Sequence, residues 1–178
     1  MRNDIIRQAK ILLGHVPLDS HGSKISKMDI LCKEMLDSAK EEVLYSIYWP
    51  FALKKIENKA GSAFKFVEAD AITDCGRVAI ISPSRLEHYC LEGRIYFKGG
   101  NLDICFYYPV NIDAYVAGRT IPKNFIFLAG LCLASNVSFA LYSDSVFTEG
   151  IRNQYLRKQK ELQETCGIKF EIRNSTRI

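Results

Sequence analysis

One stretch of the chain constrains its fold more than any other. Residues 122–142 read PKNFIFLAGLCLASNVSFALY, with no charged side chain from Phe125 onward. This apolar run of about 18 residues is close to the minimum length of a helix that spans a membrane. Apolar residues cover almost every side of such a helix, so it needs neighbours all around it. The segment is therefore either a membrane span or the central helix of a bundle.

Small residues and polar residues within this stretch favour the bundle. Gly130, Ala134 and Ser138 recur every four residues and form a stripe that lets another helix backbone approach closely. We expect this stripe to face the long helix of residues 26–49. Ser135, Asn136 and Ser138 in the second half of the segment are more typical of a soluble protein. We predict no membrane contact, and keep a helical membrane-associated interaction protein as an alternative.

The spacing of apolar residues predicts three more helices. They cover residues 4–13, 26–49 and about 145–166. Asn3 is the expected N-cap of the first, and Ser26 with Asp29 forms an approximate capping box for the second. The second helix should end at Trp49, because a following proline disfavours helical geometry. Pro122 suits the first position of the central helix.

Between residues 63 and 109 the apolar pattern changes to a period of two, which predicts short strands. The clearest unit is a hairpin over residues 94–108, with its turn at Gly99, Gly100 and Asn101. The fold class is therefore α+β, mainly α: a bundle of about four helices with an inserted antiparallel β meander. We predict one domain, residues 1–166, with the β insert at about 63–109. Residues 167–178 should form an extended C-terminal tail.

Charge and cysteine content exclude several classes of function. The net charge is +4 with acidic and basic residues interspersed, so the bulk charge does not mark a nucleic-acid-binding protein. The six cysteines have no CxxC spacing, which argues against zinc and for free thiols in a reducing compartment. Lys98, at the predicted hairpin tip, is a candidate for contact with a phosphate backbone, although a solvated lysine is the simpler interpretation.

No catalytic motif is visible in the sequence, so we expect a protein that is not an enzyme and that has no cofactor, metal or catalytic residue. Three carboxylates, Glu68, Asp70 and Asp74, lie close together along the chain. They leave open a small nucleic-acid-processing enzyme, a metal-dependent nuclease, as an alternative. A solvated loop between strands explains the same three residues more simply.

The order of several short motifs along the chain is similar to the order found in a known protein family. Trp49-Pro50-Phe51-Ala52 ends the long helix. A β-rich region follows with Gly93-Arg94-x-Tyr96 and Phe106-Tyr107-Tyr108. Ile121-Pro122-x-x-Phe125 then opens the central helix with Leu128-Ala129 and Leu133-Ala134, and the last helix carries Tyr155. Over residues 3–166 this resembles the head-to-tail adaptor proteins of tailed bacteriophages and gene transfer agents, which include tail tubular and gatekeeper proteins.

The resemblance implies a structural protein of the virion neck that is made in the host cytoplasm. It implies a homo-oligomeric ring, commonly a dodecamer, that binds the portal protein on one side and a tail tube or nozzle protein on the other. Double-stranded DNA passes through the ring without sequence-specific contact. The predicted hairpin tip, Lys98, Gly99, Gly100 and Asn101, would face this DNA channel or a partner. The C-terminal segment would dock on the portal, here with Ile168, Phe170 and Ile172. The expected core anchors are Trp49, Phe51, Phe125, Gly130, Ala134 and Tyr155.

Overall fold

The computed structural model describes residues 1–14, 26–69, 74–143 and 145–165. Within these residues the fold is α+β and mainly α, which confirms the predicted class. The chain divides into two compact units. The helical unit contains Met1–Trp49 and the chain from Ile121 onward, and the β unit contains Pro50–Thr120. The predicted tail at 167–178 lies outside the described residues.

The described elements follow one another in a simple order. The helices are α1 (Arg2–Leu12), α2 (Lys27–Ser46), α3 (Ile112–Val116), α4 (Lys123–Tyr142) and α5 (Val146–Thr165). The strands are β1 (Lys54–Lys59), β2 (Val67–Glu68), β3 (Cys75–Ser82), β4 (Glu87–Leu91), β5 (Arg94–Lys98) and β6 (Leu102–Pro109). A single 3-10 turn, Pro50–Ala52, opens the β unit.

Helix α4 is the centre of the helical unit and contacts α1, α2 and α5. It is long and apolar enough to cross a membrane, and 61% of its apolar window is buried inside the molecule. Its buried residues run almost without a break from Leu128 to Ser138. The three surrounding helices therefore supply the neighbours that an all-round apolar helix requires.

Gly130 faces α1, and not the long helix α2 as we expected. A Cβ atom at Gly130 would lie 2.6 Å from Gln8 Cγ and 2.8 Å from Gln8 Cβ. The small-residue pattern correctly indicated a close helix approach, but it did not specify which helix. Because α4 is apolar on every side, the sequence does not distinguish the side that meets α1 from the side that meets α2.

Helix α2 ends three residues earlier than predicted, because its last turn is capped by side chains. Ile47 is already extended, with φ −137° and ψ 140°. The Trp49 indole Nε1 donates to the carbonyl of Val43 at 3.0 Å, and Gln163 of α5 donates to the carbonyl of Ser46 at 2.9 Å. These bonds satisfy carbonyls that a helix end leaves without partners. The Trp49 ring also meets Phe125 edge-on at 5.2 Å.

The helix starts differ in how well the sequence predicted them. The capping box of α2 is confirmed, since Ser26 Oγ accepts from the Asp29 amide at 3.1 Å and Asp29 Oδ2 accepts from the Ser26 amide at 3.0 Å. Asn3 as the N-cap of α1 is wrong, because that helix already begins at Arg2. Pro122 is the residue before α4 and not its first helical residue.

The described residues of the β unit form two three-stranded antiparallel sheets. Sheet A has the order β1-β6-β3 and sheet B the order β2-β5-β4. Side chains of both sheets share one core: Ile56, Ala69, Cys75, Leu86, Ile95, Phe97, Leu102, Cys105 and Tyr107. Strand β1 begins at Lys54, before the predicted start of the insert near 63. It was missed because only Ile56 of its six residues is buried.

The predicted hairpin over residues 94–108 is wrong. Strand β5 belongs to sheet B and β6 to sheet A, so the chain changes sheets at Gly99–Asn101 instead of turning back. The hairpin that does form joins β4 to β5 through Glu92 and Gly93, with Leu91 opposite Arg94. Both turn residues have positive φ, 48° and 76°, as a type I′ hairpin turn requires.

Candidate interaction surface

The outer side of sheet B carries a row of aromatic side chains that are exposed or half-buried. Alternation along β5 buries Ile95 and Phe97 in the core and turns Tyr96 outward. In β4, Tyr89 is opposite Tyr96, and Leu91 is on the same side of the strand as Tyr89. Phe66, just before β2, joins them. We call Phe66, Tyr89, Leu91 and Tyr96 the aromatic face.

The three aromatic side chains of this face, Phe66, Tyr89 and Tyr96, contact one another. The Tyr89 and Tyr96 rings are stacked at 5.1 Å with an interplanar angle of 14°, and Phe66 meets Tyr89 edge-on at 4.9 Å. The register explains the stacking, since Tyr89 is directly opposite Tyr96. Phe66 is 41% exposed, Tyr89 42% and Leu91 55%. The face is therefore ordered by its own contacts but remains open to a partner.

Two ion pairs border the aromatic face, and in each pair a basic side chain is neutralised by a carboxylate. Lys98 Nζ lies 3.8 Å from Glu87 Oε2 and 5.8 Å from the centre of the Phe66 ring. Arg94 Nη1 lies 3.3 Å from Glu68 Oε2. A hydrogen bond with Tyr96, and then the Glu68 charge, raise the pKa of Arg94 above its usual range. These four residues contribute no net charge, so the face resembles an apolar contact area with a polar rim.

The predicted tip, Lys98–Asn101, lies between strands of two different sheets. Its backbone packs on residues 61–62: the Gly99 amide donates to the Ser62 carbonyl at 3.0 Å, and the Gly61 amide to Asn101 Oδ1 at 3.3 Å. Gly99 and Gly100 have φ of 96° and 147°, which other residues rarely adopt. The segment connects the two sheets, and Lys98 faces Glu87 rather than standing alone at a hairpin tip.

The other predicted residues are placed as follows. Trp49, Phe125, Gly130, Ala134 and Tyr155 are buried, and Phe51 is half-buried. Tyr155 Oη donates to Glu42 Oε1 at 2.9 Å. Burial raises the pKa of Tyr155, and it raises the pKa of Cys132 to about 12. The docking residues Ile168, Phe170 and Ile172 lie outside the described residues.

The structure does not bring the candidate carboxylates Glu68 and Asp74 together, and it does not describe Asp70. Glu68 pairs with Arg94, and Asp74 Oδ2 lies 2.6 Å from Lys54 Nζ, while Asp70 is outside the described residues. Within the described parts of the chain, no group of three or more His, Cys, Asp or Glu side chains is placed to hold a metal ion.

The helical unit has an exposed apolar surface of its own, where α4 passes into α5. Phe139 is 58% exposed and Tyr142 49%, and Val146 and Phe147 are also exposed. The Tyr142 and Phe147 rings meet edge-on at 6.0 Å. We call these four residues the helical corner. Along the same two helices, Phe127, Leu131, Gly150 and Arg157 line a groove of about 530 Å³.

Sequence reasoning found the strands that carry the aromatic face but not the face itself. The available signal was that β5 carries Ile95 and Phe97 on one side and Tyr96 on the other, whereas one apolar side would be enough for a small sheet.

Comparison of the chain with models of known protein families finds no match, and comparison with curated proteins finds none either.

Proposed function

We propose that the chain is a ring-forming structural adaptor between the portal and the tail of a tailed bacteriophage or gene transfer agent. The observation that carries the proposal is the aromatic face, an ordered row of exposed and half-buried aromatic side chains bordered by two ion pairs. Enrichment in aromatic residues and arginine at the centre of a contact, with polar residues around it, is characteristic of protein–protein interfaces. The motif order that resembles the adaptor family supports the same function.

A ring requires two different surfaces on each subunit. Head-to-tail contacts close into a ring when each subunit presents one surface to the neighbour before it and another to the neighbour after it. The aromatic face of the β unit and the helical corner of the helical unit are two candidates for such surfaces. We propose that the aromatic face forms one side of the contact between neighbouring subunits, commonly twelve in this family.

The charge of the chain suits a ring through which DNA moves. Tight phosphate binding depends on lysines and arginines that are free to replace counterions. Here the net charge is +4 over 178 residues, and Lys98 and Arg94 on the β unit are paired with carboxylates. We propose that the C-terminal tail, residues 167–178, docks on the portal through Ile168, Phe170 and Ile172. The other partner is the tail tube or nozzle protein.

The direct test mixes the full chain with the portal protein encoded by the same genome and images the sample by negative-stain electron microscopy. We expect an additional ring of density beneath the portal. Removal of residues 167–178 should abolish docking while the circular dichroism of the chain keeps its helical signal. Portals that remain bare with the full chain would contradict the proposal. Metal-dependent DNA cleavage lost on Asp74→Ala would instead support the nuclease alternative.

A matched pair of variants tests the aromatic face. The double variant Tyr89→Ala/Tyr96→Ala removes the stacked pair and should weaken ring assembly by about tenfold or more, the usual effect of removing central aromatic residues. Val110→Ala removes another apolar side chain of the same unit, which is 65% exposed, and should leave assembly unchanged. Equal assembly by both variants would exclude the aromatic face from the subunit contact.

A further inference from the structure

Two cysteines of the β unit lie side by side although they are far apart in the sequence. Cys75, the first residue of β3, and Cys90, in β4, have their sulfur atoms 3.4 Å apart. Strand β3 belongs to sheet A and β4 to sheet B. The packing of the β unit, and not a local sequence motif, therefore creates this pair.

The two thiols have very different access to solvent. Cys90 is exposed on the edge strand of sheet B, whereas Cys75 is 2% exposed and belongs to the shared core. The Cys75 amide donates to the carbonyl of Gly93 at 2.8 Å, which fixes the start of β3 against the β4–β5 turn. One thiol is thus open to a reagent, and the second is held directly behind it.

We propose that Cys75 and Cys90 form an oxidation-sensitive dithiol that is converted to an intramolecular disulfide by hydrogen peroxide or a related hydroperoxide. The sulfur atoms, now 3.4 Å apart, would have to approach by roughly 1.4 Å to reach the bonding distance of about 2.0 Å. The product would covalently join sheet A to sheet B within the β unit.

The reaction balances with one peroxide for each chain. The Cys90 thiolate attacks one oxygen of hydrogen peroxide, the O–O bond breaks, and the leaving hydroxide takes a proton to become water. The resulting sulfenic acid is attacked by the Cys75 sulfur. The S–S bond forms as the S–O bond breaks, and the departing hydroxide takes the Cys75 proton as a second water. Two thiols are oxidised and one peroxide is reduced.

The structure assigns the order of the two steps. Burial, and then the contact with Cys90, raise the pKa of Cys75 well above its usual range, so this thiol is a poor first nucleophile in the folded protein. Cys90 meets the oxidant because it is exposed, and Cys75 resolves the sulfenic acid because it is already adjacent. Cys105, a third thiol of the same core, is fully buried.

The test treats the purified full chain with hydrogen peroxide at neutral pH, alkylates the remaining thiols after denaturation and identifies the peptides by mass spectrometry. We expect a peptide pair joined through Cys75 and Cys90, with two thiols lost per chain and recovered by dithiothreitol. Cys32 and Cys132, buried in the helical unit, are internal controls that should stay reduced. Conversion of Cys90 to sulfinic acid while Cys75 remains a free thiol would overturn the proposal.

Two variants separate the roles of the cysteines. In Cys75→Ser, the Cys90 sulfenic acid should accumulate and react with dimedone, because its resolving thiol is absent. In Cys90→Ser, Cys75 should stay a thiol under the same peroxide treatment. The second variant changes an exposed residue and so tests the proposal even if Cys75→Ser does not fold. Oxidation of Cys75 in Cys90→Ser at the wild-type rate would contradict the assigned order.

Discussion

Two glycines within helices of the helical unit have opposite surroundings, and they give the first prediction. Gly130 lies against α1, where an added Cβ would be 2.6 Å from Gln8 Cγ, whereas an added Cβ at Gly150 meets nothing within 4 Å. Gly130→Leu should lower the free energy of unfolding by about 1–3 kcal/mol through overpacking. The control Gly150→Ala should raise it by about 0.5–1 kcal/mol, because alanine favours a helix. Chemical denaturation measures both free energies of unfolding. An unchanged value for Gly130→Leu would show that α1 can move to accommodate the larger side chain without loss of stability.

A second residue-scale prediction concerns Asp29, which joins α1 to α2. Its carboxylate accepts from Ser26 in the capping box and pairs with Lys10 of α1. The bonds from Lys10, and then those from Ser26, lower the pKa of Asp29 in the folded state. Because the folded pKa lies below the unfolded value of about 3.9, this stabilisation is present above that pH and is lost as the pH falls.

Asp29→Asn should therefore cost about 1 kcal/mol of unfolding free energy at neutral pH and less in acid. The variant and wild-type curves of unfolding free energy against pH should converge as Asp29 becomes protonated. Glu34→Gln, which changes an exposed carboxylate on the same helix, is the matched control. A difference between Asp29→Asn and wild type that is independent of pH would contradict the charge-based explanation.

At the scale of elements, two substitutions in the β4–β5 turn should change the stability of the chain in opposite directions. Glu92 has φ 48°, which is unfavourable for glutamate, while Gly93 has φ 76°. Glu92→Asn creates the Asn-Gly sequence preferred in such turns and should stabilise the chain by about 0.5–1 kcal/mol. Gly93→Ala should destabilise it by about 1 kcal/mol or more. Thermal unfolding measures both changes in stability. If both variants were stabilised, or both destabilised, the turn would have another conformation.

The elements also show how much of the fold the sequence can predict. Local signals worked where one short pattern determines one structure, as in the Ser26–Asp29 capping box and the apolar run of α4. They failed where the decision depends on a distant partner. Gly99-Gly100-Asn101 suits both a hairpin turn and a change of sheet, and only the pairing of β6 with β1 and β3 decides between them.

The candidate surface was less predictable than the fold. The stacking of Tyr89 on Tyr96 requires the pairing of β4 with β5, whereas the sequence predicts a hairpin over residues 94–108 that pairs β5 with β6. The Cys75–Cys90 contact likewise depends on how two sheets pack. Both features are contacts between different strands. The period of apolar residues and the strand propensity of a segment do not indicate which other strand it will contact.

At the scale of the whole molecule, the paired charges predict weak binding to DNA. The full chain should bind duplex DNA with a dissociation constant on the order of 10⁻⁴–10⁻⁶ M at physiological salt, the usual non-specific range. The double variant Glu68→Gln/Glu87→Gln releases Arg94 and Lys98 from their carboxylates and should bind more tightly, with a steeper dependence on salt. Fluorescence anisotropy at two salt concentrations measures both. Nanomolar binding by the wild type would contradict a chain past which DNA moves freely.

The interruption of the helical unit by the β unit has a consequence for synthesis on the ribosome. Helices α1 and α2 are made first, but α4, which contacts both, is made only after the whole β unit. At roughly 5–20 residues per second, the apolar sides of α1 and α2 wait several seconds for α4. The β unit obtains its last strand, β6, before α4 is made. It can therefore complete its core first, while the apolar sides of α1 and α2 still lack their partner α4.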